Sequence, residues 1–162
     1  MTLLPKLDHN QFLSWIAPFE EKLREMESAP PLRYPIGEAS LPQRGIYIFF
    51  EGDQALYVGR SNTIRQRLRQ HQIDSSGTNA ASFAVILVRE KLKAPRTYHI
   101  LRTSPEHAFN HPDFGTEFAL AKQRIRAMTI RVIEETDPTL QALLEIYIAK
   151  CLGAPYNDFD NH

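Results

Sequence analysis

The chain has 162 residues, 43% of them hydrophobic, which is enough for one domain with a single core. Its 19 basic and 19 acidic residues cancel, which excludes a globally basic nucleic-acid binder and limits any basic surface to a local patch. A single cysteine excludes an internal disulfide and a cysteine-rich zinc site. We expect this residue, Cys151, to be buried on a helix.

The sequence shows no sign of a membrane or export signal. No stretch approaches the roughly 18 apolar residues that a membrane helix needs. The first residues lack a basic segment followed by an apolar one, so we predict no signal peptide. The expected location is the cytoplasm, with no membrane partner.

The first predicted element is a helix over residues 10–27. Its apolar residues recur at spacings of three and four, namely Phe12, Ile16, Phe19, Leu23 and Met26. Pro18 interrupts the pattern, so we expect the helix to kink or restart there. Four prolines follow within residues 28–43 and predict an extended connector. We therefore divide the chain into an N-terminal helix with its connector, residues 1–43, and a main domain, residues 44–162.

Two short strands are predicted next, at residues 44–51 and 55–58, because both are rich in β-branched and aromatic residues. The intervening EGDQ has turn chemistry, which indicates an antiparallel hairpin. Gly59 is expected to end the second strand. Ser61 or Asn62 is then expected to cap a helix that runs to about residue 72.

The middle of the chain is less regular. Residues 80–92 have a composition compatible with a strand, but their length favours a helix. Residues 93–110 are predicted to be irregular, with a short strand at 97–101. A helix over residues 114–127 and a strand over 128–135 follow.

The last predicted helix is the most clearly delimited. Asp137 caps it, Pro138 takes its first position and Gly153 ends it. Glu145 lies in its most apolar stretch, ALLEIYIAKCL, where a charge is costly unless it has a partner or lies at the border of the buried face. Taken alone, this glutamate favours a structural salt bridge, and a functional role is the alternative.

Two tyrosines, an arginine and a histidine lie close together in sequence. Tyr47 and Tyr57 belong to the predicted hairpin, where core packing is the ordinary interpretation. At 100° per residue, Arg67 and His71 are stacked neighbours beside the apolar stripe of the following helix. Such a pair is usually a surface feature. None of these residues would indicate a function by itself.

Other cations form two groups. Arg65 and Arg69 point away from the apolar stripe of their helix, toward solvent or a phosphate. On the predicted helix and strand that precede the last helix, KQRIRAMTIR forms either a solvated face or a phosphate-contacting patch through Lys122, Arg124, Arg126 and Arg131. His107 and His111 lack further ligands at suitable spacing, so we predict no zinc site there.

Together, the residues of the hairpin and the helix after it resemble the GIY-YIG nuclease family. Its two name-giving strings correspond to Gly45-Ile46-Tyr47 and Tyr57-Val58-Gly59, with valine in place of the middle isoleucine. The resemblance implies that Arg67, ten residues after the second tyrosine, is the catalytic arginine. It also matches His71 to a histidine that many members carry one turn later.

The resemblance continues in the last helix. Glu145 matches the metal-binding glutamate of the family, and Asn157 matches an asparagine that often closes the site. The implied fold is α/β (α+β), a GIY-YIG-like three-stranded antiparallel sheet flanked by helices, here with an extra N-terminal helix. The strands that we predict from residues 44, 55 and 128 agree with this fold independently.

The implied function is a metal-dependent DNA endonuclease that hydrolyses phosphodiester bonds. Glu145 would bind Mg²⁺ or Mn²⁺, and Arg67 would hold the scissile phosphate. Tyr47 is assigned as the base for the attacking water, Tyr57 as its assistant and His71 as a proton relay. Which tyrosine is the base stays open at this stage. Direct attack by a tyrosine, giving a covalent phosphotyrosine, is a less favoured variant.

The expected partner is DNA, bound by a monomer or by a transient dimer. We expect substrate contacts from Arg60, Asn62, Arg65 and Asn157, with weak sequence preference. The alternative function is a catalytically decayed nucleic-acid-binding or protein-interaction module. The presence of all five candidate catalytic residues favours the enzyme, whereas the neutral overall charge slightly favours the module.

Overall fold

The computed structural model describes residues 8–96 and 100–159. Six α-helices and three β-strands are formed within these residues. In chain order they are α1 His9–Ile16, α2 Phe19–Ser28, β1 Gly45–Glu51, β2 Gln54–Ser61, α3 Ile64–Gln72, α4 Ser82–Lys91, α5 Phe114–Ala127, β3 Thr129–Glu134 and α6 Pro138–Leu152. A short 3-10 helix, Ala108–Asn110, precedes α5.

The three strands form one antiparallel sheet in the order β2-β1-β3. The central strand, β1, places Tyr47 between Gly59 on β2 and Val132 on β3. Residues 45–49 are all buried, because helices cover both faces of the sheet. The predicted fold class, a three-stranded antiparallel sheet flanked by helices with an additional N-terminal helix, is confirmed.

Alternate residues of β1 serve two hydrophobic cores, one on each face of the sheet. Tyr47 and Phe49 belong to the first core, with residues of α3, α4 and α5. Ile46 and Ile48 belong to the second core, with residues of α2 and α6. The first of these faces is the one that carries the tyrosine of the GIY string.

The N-terminal helix restarts at Pro18, as its sequence predicts, and packs on the domain. Phe19 and Met26 of α2 are buried in the second core, and the Phe19 ring lies 5.5 Å from the ring of Tyr147 on α6. In the connector, Leu32 pairs with Ile130 through two backbone hydrogen bonds of 2.8 Å. The division of the chain at residue 43 stays a prediction.

The sequence predicted that Gly59 would end the second strand, but the strand continues past it. The strand β2 continues to Ser61, because β1 is long enough to pair Gly45 with that residue. Helix α3 accordingly starts later, at Ile64, with Thr63 at its N-cap position. The hydroxyl of Ser61 instead accepts a 2.9 Å hydrogen bond from the Thr63 backbone N–H.

Cys151 is exposed, so the expectation that it is buried was wrong. It lies in the last turn of α6, beyond Leu144, Ile148 and Ala149, which this helix buries. The strand predicted at residues 97–101 falls largely on residues 97–99, outside those described. Among the residues that the structure describes, no helix has the length and apolar character that a membrane span requires.

Candidate active site

The candidate site is centred on Tyr47, in the middle of β1. Its hydroxyl lies 2.9 Å from Nε2 of His71 and accepts a 3.3 Å hydrogen bond from Nε of Arg67. His71 is fully buried and Arg67 is half-buried, so this pair is not the surface feature that its spacing alone favoured. The fold therefore joins three of the predicted site residues in one hydrogen-bonded group, which we call the Tyr47 cluster.

Gly59 gives the Tyr47 ring the space it occupies. The two residues lie opposite each other on adjacent strands. A Cβ atom on Gly59 would lie 2.3 Å from both Cζ and the hydroxyl oxygen of Tyr47. Because such a contact is impossible, any side chain at this position would displace the ring. The glycine of the YVG string thus has a steric function next to the tyrosine of the GIY string.

Tyr57 lies beside this cluster and packs on helix α4. Its ring stacks on that of Phe83, with 4.6 Å between centroids and an interplanar angle of 10°. The centroid of the Tyr57 ring lies 6.5 Å from that of Tyr47 and 5.9 Å from that of His71. The sequence presented core packing and a place at the site as alternatives for these residues. Both tyrosines in fact pack in the core and also lie at the candidate site.

Arg67 is held by more groups than the sequence indicated. Its Nη1 donates to the carbonyl of Ala80 at 2.8 Å and, at 3.5 Å, to Oε1 of Gln70. Its Nη2 donates to the hydroxyl of Ser82 at 2.8 Å. No sequence motif marks Ser82 or Ala80, because both follow a loop whose path across α3 cannot be predicted from local pattern.

Burial determines the protonation states of the Tyr47 cluster. It raises the pKa of Tyr47 well above its usual value, and the neighbouring Tyr57 acts in the same direction while Arg67 opposes it. Burial also lowers the pKa of His71 to about 3, and the positive charge of Arg67 adds to this effect. Tyr47 is therefore a neutral phenol and His71 a neutral imidazole at neutral pH. Since Arg67 can only donate, the Tyr47 proton can be directed at Nε2 of His71.

Tyr57 is also a neutral phenol. Burial raises its pKa, while a hydrogen bond with Ser82 and the charge of Arg67 oppose this shift. Neither tyrosine is therefore a preformed tyrosinate at rest.

Glu145 reaches the same region from α6 and pairs with Arg60 of β2. Arg60 Nε donates to Oε2 of Glu145 at 3.0 Å. The two side chains are 46% and 20% exposed, so this pair lies at the border of the domain rather than inside it. Burial raises the pKa of Glu145, and Arg60 opposes the shift. The charge of Glu145 also raises the pKa of both tyrosines, which places it in the same electrostatic environment.

The donor set at Glu145 fits a hard divalent cation that keeps most of its water. Arg60 binds Oε2, and among the described residues no hydrogen bond is formed by Oε1. The described part of the chain has no group of three or more His, Cys, Asp or Glu that could hold a metal. A single carboxylate suits Mg²⁺ or Mn²⁺, which accept waters and a phosphate oxygen in the remaining positions. It does not suit a protein-caged zinc ion.

Asn157 binds the backbone of the edge strand. Its Oδ1 accepts from the Val58 N–H and its Nδ2 donates to the Val58 carbonyl, both at 2.7 Å. Val58 is the residue between Tyr57 and Gly59, so this side chain supports the strand at the YVG string. The asparagine thus occupies the outer edge of β2, as a neighbouring strand would.

The other predicted substrate-binding residues make contacts within the chain. Arg65 is exposed, and its guanidinium donates to the connector carbonyls of Gly37 and Ala39. Asn62 accepts a 3.2 Å hydrogen bond from Nε2 of Gln141.

The second cationic group does not form a uniform solvated face. Lys122 is buried and donates to three carbonyls of the loop after α3. Arg124 forms a two-bond pair with Glu51, at 2.8 and 2.7 Å. Arg126 binds the Gln72 carbonyl and a carboxylate oxygen of Asp74. These three cations connect segments of the chain.

The sheet order, the flanking helices and the tyrosines of the hairpin define an α/β domain of the GIY-YIG type. Residues 43–104 match the family model described as the GIY-YIG catalytic domain, which bears out the resemblance to the GIY-YIG nuclease family that the sequence motifs indicated. The matched segment includes Tyr47, Tyr57, Arg67 and His71 but not Glu145. Comparisons with curated proteins and with solved structures found no match.

Proposed function

We propose that this protein is a metal-dependent DNA endonuclease that hydrolyses phosphodiester bonds, as a monomer or as a transient dimer on DNA. The observation that supports this best is the Tyr47 cluster next to the Arg60–Glu145 pair. The members of the cluster and of the pair come from two strands and two helices, and all have the functional groups that the chemistry needs. A decayed module would have no need to keep them together.

Tyr47 and His71 would activate the attacking water. The water oxygen bonds to phosphorus while the P–O bond to the leaving oxygen breaks, and that oxygen takes a proton from solvent. The proton of the attacking water passes to the Tyr47 oxygen, and the original Tyr47 proton passes to Nε2 of His71, 2.9 Å away. Because burial depresses its pKa, His71 is unprotonated at neutral pH and takes up the proton only transiently, as a relay that passes it on. Of the two tyrosines, Tyr47 is thus the better placed base. Tyr57, stacked on α4, would orient the water or the phosphate.

Arg67 and Glu145 would stabilise the charge that develops on the phosphate. The guanidinium of Arg67 is fixed beside the Tyr47 hydroxyl and offers positive charge next to the attacking water. Glu145 would hold Mg²⁺ or Mn²⁺, which when bound supplies positive charge at the phosphoryl oxygens and the leaving oxygen. Arg60, now paired with Glu145, would be a further cation for a DNA phosphate, and Asn62 and Arg65 would be additional substrate contacts.

A nicking assay tests this function. The protein is incubated with supercoiled plasmid and Mg²⁺ or Mn²⁺, with an excess of chelator as the control. We expect nicked circles to appear before linear DNA, because one active site cuts one strand at a time, and we expect no cleavage with chelator. Binding to plasmid, single-stranded and branched DNA without any cleavage would instead support the binding module.

A further inference from the structure

The first turn of helix α4 contacts both Arg67 and Tyr57. Ser82, its first residue, accepts a 2.8 Å hydrogen bond from Nη2 of Arg67. Phe83, the next residue, is fully buried and stacks on the Tyr57 ring at 4.6 Å. The carbonyl of Ala80, just before the helix, accepts from Nη1 of Arg67. One short segment outside the GIY and YVG strings therefore touches two of the candidate catalytic residues.

These contacts fix the plane of the Arg67 guanidinium. An arginine has five N–H groups, and those of Arg67 bind Tyr47, Gln70, Ala80 and Ser82. A planar group that is bound at Nε, Nη1 and Nη2 cannot rotate about its stem without breaking a bond. The Gln70 contact is long, at 3.5 Å, and the Ala80 contact is a backbone group. Ser82 thus supplies the short side-chain contact on Nη2.

We propose that Ser82 is a positioning residue of the active site, which holds Arg67 in the orientation that keeps its Nε on the Tyr47 hydroxyl. The inference rests on the proposed nuclease function for its kinetic consequence, but not for its structural one. Without the Ser82 hydroxyl, Nη2 loses its acceptor and the guanidinium can turn away from Tyr47. Ser82 also acts on the second tyrosine, because it opposes the rise that burial causes in the pKa of Tyr57.

The kinetic test compares Ser82→Ala with Ser82→Thr, which restores the hydroxyl, and with Ser75→Ala in the exposed loop before α4 as the matched control. Single-turnover cleavage at saturating DNA should fall about 10- to 100-fold in Ser82→Ala, because a small displacement of a positioned group has an effect of this size. The dissociation constant for DNA and the melting temperature should stay near those of the wild type. Ser82→Thr should recover most of the rate, and Ser75→Ala should not differ from the wild type.

A second measurement needs no cleavage. The Nε–H proton of Arg67, assigned by its loss in Arg67→Lys, is followed by NMR in the wild type and in Ser82→Ala. We expect its resonance to shift and its exchange with water to accelerate in the variant. If Ser82→Ala does not fold, Ser82→Cys keeps the shape with a much weaker acceptor and is measured in its place.

The outcomes separate the two proposals. An unchanged Arg67 resonance, or a Ser82→Ala variant that cleaves at the wild-type rate, would overturn the positioning function. A rate loss that merely follows the unfolded fraction, or that Ser82→Thr fails to recover, would also overturn it. A wild-type protein that never cleaves DNA, together with a shifted Arg67 resonance, would refute the nuclease but not the positioning of Arg67.

Discussion

The Tyr47 cluster and the Arg60–Glu145 pair are neighbours with opposite physical character. In the cluster, burial controls the protonation of Tyr47 and His71, and hydrogen bonds leave little freedom. In the pair, Arg60 is 46% exposed and meets Glu145 through a single hydrogen bond. A buried, fixed group suits proton transfer, whereas a partly solvated ion pair can exchange its partner for an ion or a phosphate. Changes in the cluster should therefore affect stability, and changes in the pair should not.

The largest expected effect on stability comes from acidifying the cluster. Below pH 6.5 the unfolded chain protonates His71, while the folded chain does not until the pH nears 3. The free energy of unfolding should therefore decrease as the pH falls through this window. The part due to His71 is about 3 kcal/mol between pH 6.5 and 4.

Urea unfolding of wild type and His71→Gln across these pH values measures this contribution. The variant should lose less stability on acidification than the wild type. His9→Gln, at an exposed position of α1, is the control and should retain the steep loss. Parallel curves for the wild type and His71→Gln would show that His71 is not held neutral by burial.

A side chain at Gly59 should disrupt the cluster sterically, without removing any of its hydrogen-bonding groups. Gly59→Ala places a methyl group against the Tyr47 ring, and overpacking of this kind costs about 1 to 3 kcal/mol. Cleavage should fall at least about 100-fold because Tyr47 is displaced. The matched control is Gly115→Ala in α5, where a Cβ meets open space, and it should hold or gain up to about 1 kcal/mol. Equal melting temperatures and rates for both variants would refute the close contact.

Asn157 should show an intermediate effect, because it supports the edge strand on which both regions depend. Asn157→Asp removes the donor to the Val58 carbonyl and places a carboxylate oxygen against it. The expected cost is about 1 to 3 kcal/mol, measured by thermal and urea unfolding. Asn79→Asp, at an exposed loop position, is the control and should change little. An unaffected Asn157→Asp protein would mean that the side chain does not hold β2.

Arg60 should give the smallest change in stability. Its pair with Glu145 is partly solvated, so Arg60→Gln should cost less than about 1 kcal/mol. DNA binding should weaken, and the slope of log affinity against log salt should decrease by about 1, as for the loss of one phosphate contact. Arg33→Gln in the exposed connector is the matched control. An unchanged salt slope would exclude Arg60 from the DNA surface.

Local pattern predicted much of the fold because several elements carry their own boundary signals. Helix α6 begins and ends where Asp137, Pro138 and Gly153 indicate, and the Asp137 side chain caps it. The position of Arg67 next to His71 on one face of α3 follows from helical spacing alone, whereas the burial of His71 does not. These features depend on residues a few positions apart, so they can be predicted from the local sequence.

Other features of the site depend on long-range contacts that no local pattern contains. Asn157 binds Val58, 99 residues away, and Lys122 binds carbonyls almost 50 residues earlier in the chain. Ser82 meets Arg67 only because the loop after α3 folds back. Helical spacing predicts that Arg65 points away from the core. It does not predict that the guanidinium donates to carbonyls of the connector. The sequence likewise predicted that Glu145 needs a partner, but not that this partner would be Arg60.

The most direct test of metal-dependent cleavage at this site is single-turnover cleavage by Glu145→Gln, with thermal melts of the same protein. The variant keeps the shape of the side chain and removes the carboxylate that would bind Mg²⁺ or Mn²⁺. We expect a melting temperature within a few degrees of the wild type, because the Arg60–Glu145 pair is partly exposed. We expect cleavage to fall by about 1,000-fold or more, because a metal-bound transition state loses several kcal/mol of stabilisation. A destabilised yet fully active Glu145→Gln protein would contradict the assignment of Glu145 as the metal ligand.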